Sequence, residues 1–149
     1  MKKFQEIVVE ENLKELIKVA FNSDLNVFGA WGYSKPLATV IEGNNDDSHI
    51  ELQFTLATMR AYLEMNMTLS EDERYGAINL KEVSREKIDK YEKVIYEISA
   101  IKEVEYKVLI DDYKENFEKD DFDMTQHFEK RKEATLKRDV THWFKVTPR

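Results

Sequence analysis

Residues 48–69, SHIELQFTLATMRAYLEMNMTL, decide how the chain is read, because they fit two templates. Ser48 with Glu51 matches a helix-capping box. On a helical wheel, however, Ile50, Phe54, Ala61 and Met65 fall on one side and Leu52, Leu56, Met59, Leu63 and Met67 on the other, so no single apolar face forms. On a strand template Ile50, Leu52, Phe54 and Leu56 alternate with Glu51, Gln53 and Thr55. Ala57, Met59, Ala61, Leu63, Met65, Met67 and Leu69 then alternate with polar or small partners. Two period-two runs meet at a one-residue shift, the mark of a bulge or bend. The spacing therefore predicts one long bent strand over 48–69, with the cap match a coincidence.

The neighbours are read to fit that strand. Leu13, Leu16, Ile17, Ala20 and Phe21 lie at helical spacing behind Asn12, which predicts a short helix over 13–22. FQEIVV, 4–9, reads as a short strand. LNVFGAW (25–31) and PLATVIE (36–42) read as strands, GNNDD (43–47) as a turn, and AINLKEV (77–83) as a hairpin partner after SEDERYG. The centre thus becomes a four-stranded antiparallel meander.

From Ser84 the period lengthens. Ile88, Tyr91, Ile95, Ile98, Tyr106, Leu109, Tyr113 and Phe117 share one stripe of a helical wheel, and no Gly or Pro occurs from 77 to 147. This predicts a helix over 85–118, about 50 Å long, with a break near Ser99–Lys102 or a strand at EVEYKVLID as the competing reading. Val94, Ile101, Val104 and Val108 give it a second apolar stripe. TQHFEKRKEATLKRDVTHWFKV then predicts a last helix behind a Thr125 cap, with Phe128, Leu136, Val140 and Trp143 on its apolar side. The expected fold is α+β in a single domain, 1–149. It has a short N-terminal helix, the meander, and two long antiparallel C-terminal helices.

Composition narrows the function. The 149 residues carry 23 Lys and Arg against 30 Asp and Glu, net −7, which repels nucleic acid on average. The absence of cysteine excludes disulfides, thiolate metal sites and cysteine nucleophiles, and fits a reducing cytoplasm. MKKFQEIVVEENLK lacks the apolar run of a signal peptide, and no segment approaches the roughly 20 apolar residues of a membrane span. A cytoplasmic location away from the membrane is expected.

Catalytic spacing is scarce. His49, His127 and His142 do not form H-E-x-x-H or E-x-x-H. Asp120, Asp121, Asp123 and His127 could hold a divalent cation, but an acidic turn at a helix start has the other use of capping it. Asp46, Asp47, His49 and Glu51 suggest a metal nuclease, yet Gln53 stands where a lysine is wanted. No G-x-S-x-G elbow or phosphate-binding loop is present. No cofactor is expected.

The reading favoured is a non-enzymatic protein-interaction module, an adaptor, chaperone-like protein or inhibitor, binding another protein through its sheet or its long-helix surface. The surplus apolar face of that helix needs cover, and a homodimer is one assembly that would supply it. FGAWGYSKP, 28–36, holds two of the four glycines beside large aromatics, and Trp31, Tyr33 and Tyr62 are the contact candidates. Two alternatives stand beside this one. The first is a small-ligand or enzymatic pocket between sheet and helices. The second is a nucleic-acid contact through Lys130, Arg131, Lys137 and Arg138, although opposite charges on the preceding acidic segment also account for that basic face.

Overall fold

The computed structural model describes residues 4–9, 12–42, 48–116, 118–119 and 123–147. Helix α1, Leu13–Phe21, begins where Asn12 predicts: its side chain accepts from the amides of Lys14 (2.9 Å) and Glu15. Leu13 and Ile17 are its buried residues, and Asn22 closes it in the left-handed region. Strands β1, Val27–Gly29, and β2, Thr39–Glu42, pair antiparallel on either side of a 3-10 turn at Lys35–Leu37. Residues 4–9 run without regular structure, in place of the strand expected there.

The stretch 48–69 is a helix rather than a bent strand. Helix α2, Ser48–Tyr62, passes into one wide π turn at Leu63–Met67, closed by Thr68 N–H donating to Leu63 O at 3.3 Å. Gln53, Leu56, Ala57, Arg60, Leu63 and Glu64 are buried at helical spacing, with Met59, Ala61, Met65 and Asn66 buried beside them, so that four of these ten are polar. Meanwhile Ile50, Phe54, Tyr62 and Met67 are exposed. Charge inside and apolar groups outside cancel any apolar face, so the pattern left visible was the accidental alternation.

The helix expected over 85–118 is mostly a hairpin. Strands β3, Tyr75–Ile88, and β4, Tyr91–Lys102, meet across a two-residue turn in which Asp89 takes φ +55°. Aspartate tolerates that region without glycine, so the turn carries no Gly signal. Val94, Tyr96, Ile98 and Ala100 are buried by strict alternation. Only then comes helix α3, Glu103–Asn116, whose first amide donates to Arg74 O at 2.8 Å. The expected second stripe is split: Val94 and Ile101 are buried in β4, whereas Val104 and Val108 are exposed on α3. The last predicted helix also divides. Helix α4, Met124–Ala134, is capped by Asp123, not Thr125, and strand β5, Leu136–Thr147, follows at once. Val140, Thr141, Trp143, Phe144 and Val146 supply its β-branched and aromatic content.

The sheet is five-stranded and mixed, in the order β1-β2-β5-β4-β3. Strand β5, last in the chain, lies between β2, to which it is parallel, and β4, to which it is antiparallel. Neither the four-stranded meander nor the pair of long C-terminal helices exists. Helices α1 and α2 cover one face through Leu13, Ile17, Leu56, Ala57 and Leu63 against Val27, Trp31, Ile41, Val94, Tyr96 and Phe144. A second cluster joins Phe4, Ala61, Met65, Tyr75, Ile98 and Ala100. No helix among the described residues is long and apolar enough to cross a membrane.

Candidate functional site

The inward face of α2 is held by a charged network. Glu64, 2 % exposed, is met by three donors. Its Oε2 accepts from the Tyr33 hydroxyl at 2.5 Å and from Arg60 Nε at 3.2 Å, and its Oε1 accepts from Arg138 on β5. Arg60 also donates to the carbonyls of Trp31 (3.2 Å) and Thr141 (2.9 Å) and lies 3.9 Å over the Tyr33 ring. The Tyr33 hydroxyl accepts from the Ile7 amide at 2.9 Å. Burial, then the charge and hydrogen bond of Glu64, push the Tyr33 phenol well above its ordinary range. One carboxylate thus ties α2 to the central strand, to the segment after β1 and to the N-terminal segment. Both oxygens are engaged and enclosed, so the network positions structure rather than reacting.

A neutral histidine lies beside it. Thr39 Oγ1 gives its one proton to Ala30 O at 2.5 Å, so the 2.8 Å contact with His142 is donated by Nε2–H. Nδ1 is then bare, and it has no partner among the described residues. The ring stacks on Phe144 at 4.0 Å. Burial, then the Arg60 charge, hold the His142 pKa well below its ordinary 6.5. The unfolded chain therefore binds a proton that the fold refuses, and stability declines as pH falls from about 6.5 toward the folded pKa, by up to about 1.4 kcal/mol per pH unit. We expect the melting temperature to drop between neutral and mildly acidic pH, and the drop to shrink in His142→Gln. An equal drop in the variant would assign it to other groups.

The outward face of α2 builds a groove. Phe54, Thr58 and Tyr62, each four residues apart, share one stripe, and Phe54 and Tyr62 are 42 % and 43 % exposed. With Thr55, Met59, Ala20 and Phe21 they line a groove of about 500 Å³ between α1 and α2. Phe21 meets Tyr62 edge-on at 5.8 Å. The Thr55 and Thr58 hydroxyls bond back to Glu51 O and Phe54 O, which leaves the surface apolar. A second groove, about 420 Å³, runs between α3 and α4 along Val104, Val108, Leu109 and Ala134.

The sequence candidates are scattered. Trp31 is fully buried and Tyr33 belongs to the Glu64 network, so of the three aromatics only Tyr62 faces the groove. Asp123 serves as the α4 cap, accepting from Gln126 N at 3.1 Å, and His127 is buried, while Asp120 and Asp121 lie outside the described residues. Asp46 and Asp47 do as well. No group of three or more acidic or histidine side chains is placed to hold a metal among the described residues. Lys130 and Arg131 are on α4 and Lys137 and Arg138 on β5, with Arg138 paired to Glu64 and largely enclosed, so no single basic helix face exists. Sequence reasoning missed Phe54, Arg60 and Glu64. The available signal was the helical spacing of Gln53, Arg60 and Glu64 with an i,i+4 ion pair.

No protein family, curated protein or solved structure matches the chain.

Proposed function

We propose that this is a non-enzymatic protein-interaction module of the cytoplasm, which receives an apolar segment of a partner protein in the α1–α2 groove. One observation carries the reading: α2 and the π turn that continues it place Gln53, Arg60 and Glu64 inward and leave Phe54 and Tyr62 in solvent. Burying charge costs several kcal/mol per ion before pairing, and aromatic groups in water give up favourable burial. An arrangement unfavourable on both counts fits a surface kept for another molecule. Aromatic anchors beside an apolar cleft are what protein interfaces use most.

A photo-crosslinking residue at position 62, in the native cell, should give an adduct of discrete mass. The adduct should vanish with Phe54→Asp and be absent from position 81, an exposed site on the sheet. An adduct of twice the chain mass would make the partner a second copy. Equal labelling at 62 and 81, or none at either, would overturn the proposal.

A further inference from the structure

The sheet face opposite α1 and α2 carries a second arrangement. The strand register sets Phe28, Val40, Lys145, Tyr91 and Ile88 in one row across all five strands. Trp143, paired with Lys93, stands in the adjacent row, diagonal to Tyr91 on the same face. Neither ring is buried, and Phe28 is 37 % exposed. Three ammonium groups stand over the rings: Lys35 at 4.9 Å and Lys145 at 5.8 Å from the Tyr91 centroid, and Lys93 at 5.7 Å from that of Trp143. None of the three is ion-paired among the described residues. Glu86, opposite Lys93, is the acid of these two rows, and Glu42, opposite Thr147, lies one same-face row beyond Lys145.

We propose that this end of the sheet is a stacking platform for a short single-stranded nucleic acid. Tyr91 and Trp143 would lie under two neighbouring bases, with Lys35, Lys93 and Lys145 turned from the rings to the phosphates. Two flat rings about one cross-strand diagonal apart, roughly 7 Å, suit bases splayed on a sheet. An acidic peptide would engage the ammoniums but leave the rings without planar partners. A duplex would hide the bases that the rings are placed to meet. The net charge of −7 does not forbid the contact, since at physiological salt charges beyond about 8 Å are largely screened. It does confine the footprint to a few nucleotides. This inference stands apart from the α1–α2 groove.

The test titrates the full chain against a fluorescein-labelled oligouridylate of about six nucleotides at roughly 50 mM salt, read by anisotropy and by tryptophan emission. Trp31 is fully buried, so quenching reports Trp143. Saturable binding with quenching is expected. Tyr91→Ala with Trp143→Ala should weaken it at least about tenfold, whereas Tyr91→Phe with Trp143→Phe, which keeps the rings, should retain it and guards against a folding defect. The log–log salt slope should be near −2 and fall to about −0.7 in Lys93→Gln with Lys145→Gln. Absence of binding, an unchanged affinity in the alanine pair, or equal competition by hexaglutamate would overturn the proposal.

Discussion

Glu64→Ala is expected to be among the most damaging substitutions in the chain, lowering the melting temperature by roughly 10 °C. Among the described residues the carboxylate is the only acid paired with the Arg60 and Arg138 guanidiniums, each of which is largely enclosed. Removing one member of a buried ion pair leaves charge without compensation and costs about 3–5 kcal/mol. In a protein of this size each kcal/mol moves the midpoint by roughly 2–4 °C. The Tyr33 hydroxyl also loses its acceptor. Tyr33→Phe, which removes a neutral group from the same network, should cost less, about 1–3 kcal/mol. The ordering matters as much as the size. Glu64→Ala with Arg138→Ala should cost less than the sum of the single changes, since the second removes a charge that the first had stranded. Strict additivity in urea unfolding would mean that Glu64 and Arg138 are not coupled.

Gly32→Ala is the second large effect. Gly32 has φ +76°, which disfavours an alanine by about 1–2 kcal/mol. An added Cβ would also lie 2.1 Å from His142 Cδ2 and 2.7 Å from the carbonyl of Trp143. Neither can withdraw freely. His142 is fixed between Thr39 and Phe144, and the Trp143 amide is bonded to Gly32 O at 2.8 Å. The substitution should therefore push β5 away from the loop after β1, at a total cost of about 4 kcal/mol or more. A loss below about 1 kcal/mol would show that the two backbones are not in this close approach.

The legible parts of the fold were those in which local chemistry and burial agree. Asn12 capping and the Leu13–Ile17 spacing give α1, and the β1–β2 pair follows from its strand composition. The β3–β4 hairpin was hidden because Asp89, not glycine, makes its turn, and because Ile88, Tyr91, Ile95 and Ile98 happen to keep helical spacing while lying on both faces of a sheet. Strand β5 was absorbed into a helix since Thr135 supplies no Gly or Pro at the junction. Helix α2 was hidden for a different reason. Its buried face contains Gln53, Arg60 and Glu64, whose partners Glu92, Trp31 and Thr141 carbonyls, Tyr33 and Arg138 lie far away in sequence. The i,i+4 spacing of Arg60 and Glu64 is a local trace, but it does not announce the distant groups that complete the network. The same property makes the candidate site only partly visible: Tyr62 stands out by its aromatic character, but its groove exists only once the polar side of α2 turns inward.

That inversion is the centre of the account, and cysteine accessibility tests it directly because the chain has no cysteine of its own. Single cysteines at 53, 54, 55, 56, 57 and 62 would be labelled with a thiol reagent under native conditions. Positions 54, 55 and 62 should react rapidly, and 53, 56 and 57 should be protected. Reactivity that alternates with a period of two, or fast labelling at 53 with protection at 54 and 62, would contradict a helix that holds its polar side inward.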